Sequence, residues 1–202
     1  MQQKKRDKTH SVIIDSATVL FLEKGFNQTT IKDIALSANL GEATVYRHFA
    51  TKEDLLLSVS VLLSQKILDD SFQKTEGQNG YSLIAKFYEL FLIIFKDNKN
   101  YYRLLNDIDL VLTSHKELDQ KKYSDLLLKY KDYFLEVYQK GIEDKSLRTI
   151  NNLIEFYYAT THAIMSLAKK LALDAVLEQD LTINKELELK TLIDIILSYI
   201  RS

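Results

Sequence analysis

Apolar residues recur at spacings of three and four along most of this chain, the mark of amphipathic helices. Ile13, Ile14, Ala17, Leu20 and Phe21 form the first such stripe and predict a helix over Ser11–Lys24. Gly25 ends it as a C-terminal glycine, and Phe26 folds back as a hydrophobic plug. Thr30 followed by Asp33 fits a capping box, with Thr29 as the alternative cap. A short helix over about Ile31–Ala38 follows, with Ile34 and Ala38 on one side and Ile31 and Ala35 close to it. Asn39 suits a left-handed helix terminus, and Gly41 is a tolerated N-cap for the next helix, Glu42–Phe49. There Val45 and Phe49 turn inward, leaving Glu42, Ala43, Thr44, Tyr46, Arg47 and His48 around the outer surface. Two short helices joined by a tight turn and braced from upstream are the layout of a helix-turn-helix. Its second helix can lie in the DNA major groove.

Thr51 and Asp54 repeat the capping-box pattern and open a longer helix, Lys52–Thr75. Lys52 stands in its first turn, where the helix dipole prefers anions, so a cation there makes better sense beside a phosphate. The run Glu76-Gly77-Gln78-Asn79-Gly80 is the most loop-like segment and the best domain boundary. Helices are predicted beyond it at about Tyr81–Lys96, Lys99–Thr113, Leu118–Asp144, Ile150–Glu178 and Lys185–Arg201. The expected architecture is all-α: residues 1–52 form the helix-turn-helix domain, 52–75 a linking helix, and 76–202 a second helical domain.

Composition agrees with that class. There is no proline, and each of the five glycines falls where a helix begins or ends. No cysteine is present, which excludes disulfides and thiol chemistry. No apolar run approaches the ~20 residues of a membrane span. The basic N-terminus lacks the apolar core of a signal peptide, so a soluble cytoplasmic protein is expected. Net charge is −1 overall, yet residues 1–52 carry 8 Lys/Arg against 5 Asp/Glu, a net of +3. Lys4, Lys5, Arg6 and Lys8 form a basic flexible arm, either a phosphate or minor-groove contact or a solvated terminus. His10, His48, His115 and His162 are spread too widely for a metal site, and Asp107 and Asp109 point to different sides of a helix. Asn106-Asp107-Ile108-Asp109 lacks the glycine and final glutamate of a calcium loop. With no phosphate loop and no nucleophile elbow, an enzyme reading has no residues to name, and no cofactor is expected.

Residues Ile13 to Leu56 resemble the DNA-binding domain of the TetR family of bacterial transcriptional regulators. The resemblance rests on Ala17, Leu20-Phe21, Gly25-Phe26, Thr29-Thr30, Ile34-Ala35, Leu40, Thr44-Val45-Tyr46-Arg47-His48-Phe49 and Lys52-Glu53-Asp54-Leu55, without gaps. Asn39, Gly41, Glu42 and Ala43 depart from the usual pattern. Only Glu42 bears on chemistry: a carboxylate near phosphates is repelled unless it accepts from cytosine N4, which touches the operator sequence rather than DNA binding itself. The resemblance implies that Tyr46, His48 and Lys52 contact phosphates, with Thr29 or Thr30 joining through a hydroxyl or N–H group. Tyr46 has packing on the turn as its other role. Thr44 and Arg47 are the candidates for base edges, Arg47 being able to bond guanine bidentately.

Two features of the second domain have competing readings. Ile164, Met165, Leu167, Ala168, Leu171, Ala172 and Val176 cover more than one face of their helix, as do Leu187, Leu189, Leu192, Ile193, Ile195, Ile196, Leu197, Tyr199 and Ile200 of the last. Such helices are buried on most sides, either within one chain or against a second copy. The resemblance implies the copy, a homodimer built on the last two helices. Aromatics also crowd the middle helices: Phe87, Tyr88, Phe91 and Phe95; Tyr101 and Tyr102; Tyr130, Phe134 and Tyr138; Phe156, Tyr157, Tyr158, His162 and Met165. Ordinary core packing is one reading. A cavity for a hydrophobic small molecule with a polar group is the other, and the resemblance implies an effector pocket here. The candidate lining is Phe87, Phe91, Phe95, Tyr102, Tyr130, Phe134, Tyr138, Tyr158, His162 and Met165.

The function expected is a dimeric, ligand-responsive repressor on a palindromic double-stranded DNA operator, its heads about one helical turn apart. Ligand would favour a state with the heads wrongly spaced, at a reciprocal coupling of ~1–3 kcal/mol, carried by the helix over 52–75. The alternative is a helical small-molecule carrier with a vestigial DNA-binding head.

Overall fold

The computed structural model describes residues 2–71, 78–174 and 182–202. Among them the chain forms α1 (Gln2–Lys24), α2 (Ile31–Ser37), α3 (Glu42–His48), α4 (Lys52–Ser71), α5 (Gly80–Asp97), α6 (Lys99–Ser114), α7 (Lys121–Glu143), α8 (Leu153–Ala172) and α9 (Lys185–Ile200). No β-strand forms among the described residues; one isolated bridge joins Leu147 to Arg201. The expected end of the linking helix over 72–75, the loop residues Glu76 and Gly77, Val176 and the helix end at Glu178 lie outside the described residues.

The chain divides into two compact units. One unites residues 1–66 with 103–126, and the other 67–102 with 127–202. The division therefore does not follow the loop at residues 76–80 alone: most of α6 and the first six residues of α7 group with the head.

Local chemistry explains the element ends. Thr30 caps α2 reciprocally: its hydroxyl oxygen accepts the Asp33 N–H at 3.1 Å, while the Asp33 carboxylate takes the Thr30 N–H at 2.9 Å. The Thr30 N–H and the Thr30 hydroxyl, both donating to it, hold the Asp33 carboxyl below its usual pKa. Thr51 and Asp54 repeat the exchange at the start of α4, at 3.0 and 3.1 Å. Asn39 sits at φ 54° in the left-handed region, and Gly25 at φ 85°.

Several boundaries differ from expectation; α8 runs Leu153–Ala172 rather than Ile150–Glu178. The basic N-terminus is helix, not a flexible arm. Its Gln, Lys and Arg residues are good helix formers, Gln3 Nε2 donates to Asp7 Oδ1 at 2.8 Å, and Thr9 donates back to the Lys5 carbonyl at 2.9 Å. α7 starts at Lys121 rather than Leu118, because Asp119 accepts the Lys121 N–H at 3.0 Å in a cap-like turn.

In the second unit α5, α8 and α9 pack together around Leu83, Ile84, Phe87, Ile164, Ala168, Leu189, Ile193 and Ile196, all buried. The start of α5 meets the end of α7 backbone to backbone. A Cβ on Gly80 would fall 2.1 Å from Gly141 Cα, so only glycine permits this approach. Asp144 accepts the Gly80 N–H at 2.7 Å and Ser146 Oγ the Tyr81 N–H at 2.9 Å, while Arg148 N–H reaches the Ile200 carbonyl at 3.0 Å.

Candidate nucleic-acid interface

The core of the head fixes α3 from beneath. Val45 is fully buried and Phe49 nearly so, as the 3.6-residue period dictates. Glu42, Ala43, Tyr46 and Arg47 are exposed, and Thr44 and His48 are half-buried on the rim of the same face. Tyr46 is 53% exposed, so much of its ring is open to solvent. Arg47 Nη2 donates to Thr44 Oγ1 at 2.9 Å. That bond pre-orders the guanidinium along the outer face and leaves further N–H groups for an acceptor.

The structure gives two expected phosphate contacts other work. Thr29 is fully buried, and its hydroxyl donates to the carbonyls of Gly25 (2.8 Å) and Leu20 (3.3 Å), satisfying the end of α1. It has no surface to offer a phosphate; Thr30, exposed at the α2 N-terminus, does. Lys52 is half-buried. Its ammonium donates to the carbonyls of Phe26 (2.9 Å) and Thr29 (3.0 Å) and lies 4.1 Å above the Phe26 ring. The cation that looked misplaced at a helix N-terminus clamps the turn between α1 and α2 instead.

Sequence reasoning missed two residues of this unit. His10 lies one turn upstream of Ile13 and Ile14 on the same stripe, and its ring stacks on Phe49 at 4.7 Å and 18°, with the His48 ring 5.7 Å away. That shared stripe was the available signal. Asp107 of α6 accepts the Phe26 N–H; burial raises its carboxyl pKa, while that bond and nearby Lys52 oppose the rise. It lines an open cleft of about 220 Å³ with Phe26, Asn27, Glu53, Val111 and His115.

The aromatic candidates of the second unit separate by helix register. Phe87, Phe95, Tyr102, Phe134 and Tyr138 are buried. Phe134 contacts Phe87 at 5.2 Å, Tyr157 at 5.1 Å and Tyr138 at 5.7 Å. The hydroxyls are satisfied internally: Tyr102 donates to the Phe91 carbonyl at 2.7 Å, Tyr138 to the Arg148 carbonyl at 3.0 Å, and Tyr88 shares a 2.7 Å bond with Thr160. Phe91, Tyr130 and Met165 are half-buried. Tyr158 and His162 do not join them. α8 turns Tyr157, Thr160, Thr161 and Ile164 inward, which leaves Tyr158 and His162 in a tilted contact at 5.6 Å and 40° on the outer surface. Among the described residues no group of His, Asp or Glu is placed to hold a metal ion, and no helix is long and apolar enough to cross a membrane.

A capped three-helix head presenting α3, followed by further helices, has the layout of a helix-turn-helix protein of the all-α class. Residues 13–59 match the family model for bacterial regulatory proteins of the tetR family. The head is thus similar to the DNA-binding domain of that family. A 92-residue stretch is 36% identical to the biofilm operon icaADBC HTH-type negative transcriptional regulator IcaR of Staphylococcus aureus, covering 46% of this chain and 49% of that protein. The chain thus matches about half the length of the curated relatives it resembles. The fold extends further. A crystal structure described as a transcriptional regulator from Saccharomonospora viridis, in complex with choline, aligns over 97% of this chain and 99% of its own, with TM-score 0.67 and 18% identity. The fatty acid degradation regulator FadR from Bacillus halodurans aligns over 94% of each chain, with TM-score 0.68 and 18% identity.

Proposed function

We propose that this protein is a transcriptional repressor that binds a palindromic DNA operator as a homodimer and leaves it when a small hydrophobic molecule binds its second domain. The observation that carries the reading is the exposed outer face of α3. Thr44, Tyr46, Arg47 and His48 are displayed on a helix whose opposite side is sealed by Val45 and Phe49. A seven-residue helix is ~10 Å long, a length a major groove admits. In this reading Arg47 and Thr44 meet base edges, and Tyr46, His48 and Thr30 meet phosphates. Glu42 and Ala43 stand at the N-terminal end of α3, nearest the bases.

The second copy would cover apolar side chains that one chain leaves open. Ile154 and Tyr158 on α8 and Leu187, Ile195 and Tyr199 on α9 are each between 41 and 61% exposed. Large apolar groups at this density favour a two-fold interface. The effector would enter among Phe91, Tyr130 and Met165 and displace part of the ring cluster behind them. A neighbour of the same fold was crystallised with choline, which supports a ligand site in this architecture. IcaR, the relative of the head, is a negative transcriptional regulator, which supports repression.

The test is a gel-shift with the duplex flanking the protein's own gene. A shift resisting excess unrelated duplex, and weakened by Arg47→Ala by roughly 1–3 kcal/mol, is expected. Equal affinity for every duplex, unaltered by Arg47→Ala, would remove base reading from α3.

A further inference from the structure

The head carries a second cationic feature beside α3, made by three elements. α1 brings Arg6 and His10, α3 brings His48, and α7 brings Lys122. His10 anchors the group: its ring lies flat on Phe49 at 4.7 Å, with the His48 ring at 5.7 Å. Arg6 and Lys122 are exposed and lie close enough to His10 to act on it electrostatically. Asp7 is the carboxylate that opposes them at His10, and it accepts from Gln3 Nε2 at 2.8 Å. Among the described residues no carboxylate ion-pairs with Arg6 or Lys122. Three elements thus bring two cations, Arg6 and Lys122, towards a pair of histidine rings, and both cations disfavour the imidazolium of His10 in the free protein. Such a group gains most when an anion arrives.

We infer that Arg6, His10, His48 and Lys122 form a clasp for backbone phosphate of the DNA duplex, flanking the groove entered by α3. The inference rests on the DNA-binding reading above and adds a sequence-independent anchor to it. Arg6 is one turn before His10 on the same side of α1, so the clasp continues the core stripe past its last apolar residue. Lys8 lies two residues from His10, about 160° round the helix, and takes no part.

The clasp also links DNA binding to proton uptake. Burial first, then His48, Lys122 and Arg6, hold His10 below its ordinary pKa, against the weaker pull of Asp7. A phosphate placed among these groups favours the imidazolium. DNA affinity should therefore rise as pH falls from about 7.5 to about 6, by no more than about tenfold per pH unit for one proton.

The experiment titrates a fluorescein-labelled 30-base-pair duplex of arbitrary sequence with the full-length protein at several salt concentrations. The slope of log K against log salt falls by about 0.9 for each phosphate-neutralising cation removed. The Arg6→Gln/Lys122→Gln pair is expected to reduce the slope by about 1.8 on that constant, and Lys8→Gln, a neutralised cation on the far side of α1, to leave it unaltered. His10→Gln should lose most of the rise in affinity at low pH; the surface pair keeps the test sound if that variant folds poorly. Equal slopes for wild type and the pair, or equal losses from Lys8→Gln and Arg6→Gln, would overturn the clasp while leaving DNA binding intact. Failure of the wild type to bind any duplex would sink the DNA-binding reading itself, and the clasp with it.

Discussion

Replacing Lys52 by methionine separates two roles that the sequence leaves entangled. Methionine keeps the unbranched stem on Phe26 and deletes the ammonium. The structure assigns that ammonium two carbonyl acceptors, Phe26 at 2.9 Å and Thr29 at 3.0 Å, and a ring face at 4.1 Å. Hydrogen bonds from charged donors contribute about 1.5–3 kcal/mol each when well buried. Lys52 is half-buried, so each bond is discounted to about 1–1.5 kcal/mol, about 2–3 kcal/mol for the pair. The ring contact adds about 0.5–1 kcal/mol. The loss should be near 3 kcal/mol, which for a chain of this length lowers Tm by roughly 6–12 °C. Urea unfolding followed by helix circular dichroism measures the first quantity, and a thermal scan the second. The salt dependence of duplex binding supplies the contrast, since a lysine occupied by carbonyls takes no part in counterion release. Lys52→Met should leave that slope unchanged. Unchanged stability with a slope lowered by about 0.9 would place the ammonium on a phosphate and refute the clamp.

Three further outcomes are expected. Gly80→Ala drives a Cβ to 2.1 Å from Gly141 Cα, where no flexible side chain can yield, and should cost about 3 kcal/mol or more in urea unfolding; stability within about 0.5 kcal/mol of wild type would contradict the close approach. Ile195→Glu puts a charge on a residue 61% exposed at the centre of the open α9 face and should convert a dimer into a folded monomer in sedimentation velocity; a dimer that persists would locate the interface elsewhere. Burial pushes Tyr138 and Tyr157 up to about 12, so the unfolded chain, ionising near 10, gives up these protons first. Their stabilisation is complete below pH 10 and drains as pH climbs towards 12. Tyrosinate absorbance should therefore appear together with loss of helix; full ionisation near pH 10 with helix retained would contradict the packing.

What the sequence revealed was what its neighbours decide. The Thr30–Asp33 and Thr51–Asp54 caps and the left-handed Asn39 involve residues within three or four positions, and each appears as read. Lys52 misled because its acceptors lie 23 and 26 residues upstream, beyond any local rule. The N-terminal residues misled in the opposite sense: charge suggested an arm, whereas helix propensity and the anchoring of His10 on Phe49 favour a continuous α1. Tyr158 and His162 were grouped with their aromatic neighbours by type. Register, which turns Tyr157 inward and Tyr158 outward, was the better guide. Gly80 and Gly141 read only as helix ends, since a backbone contact between positions 61 apart has no local trace.

The grouping of residues 103–126 with 1–66 bears on how the protein is made. During synthesis the first three helices emerge early, yet Asp107, the acceptor for the Phe26 N–H, and Lys122, beside His10, follow only much later. The nascent head must wait, with part of its contact surface bare, until the chain has left the ribosome to beyond residue 126. A gene fragment ending near residue 66 would hold the ribosomal intermediate in that unfinished condition, a natural client for chaperones.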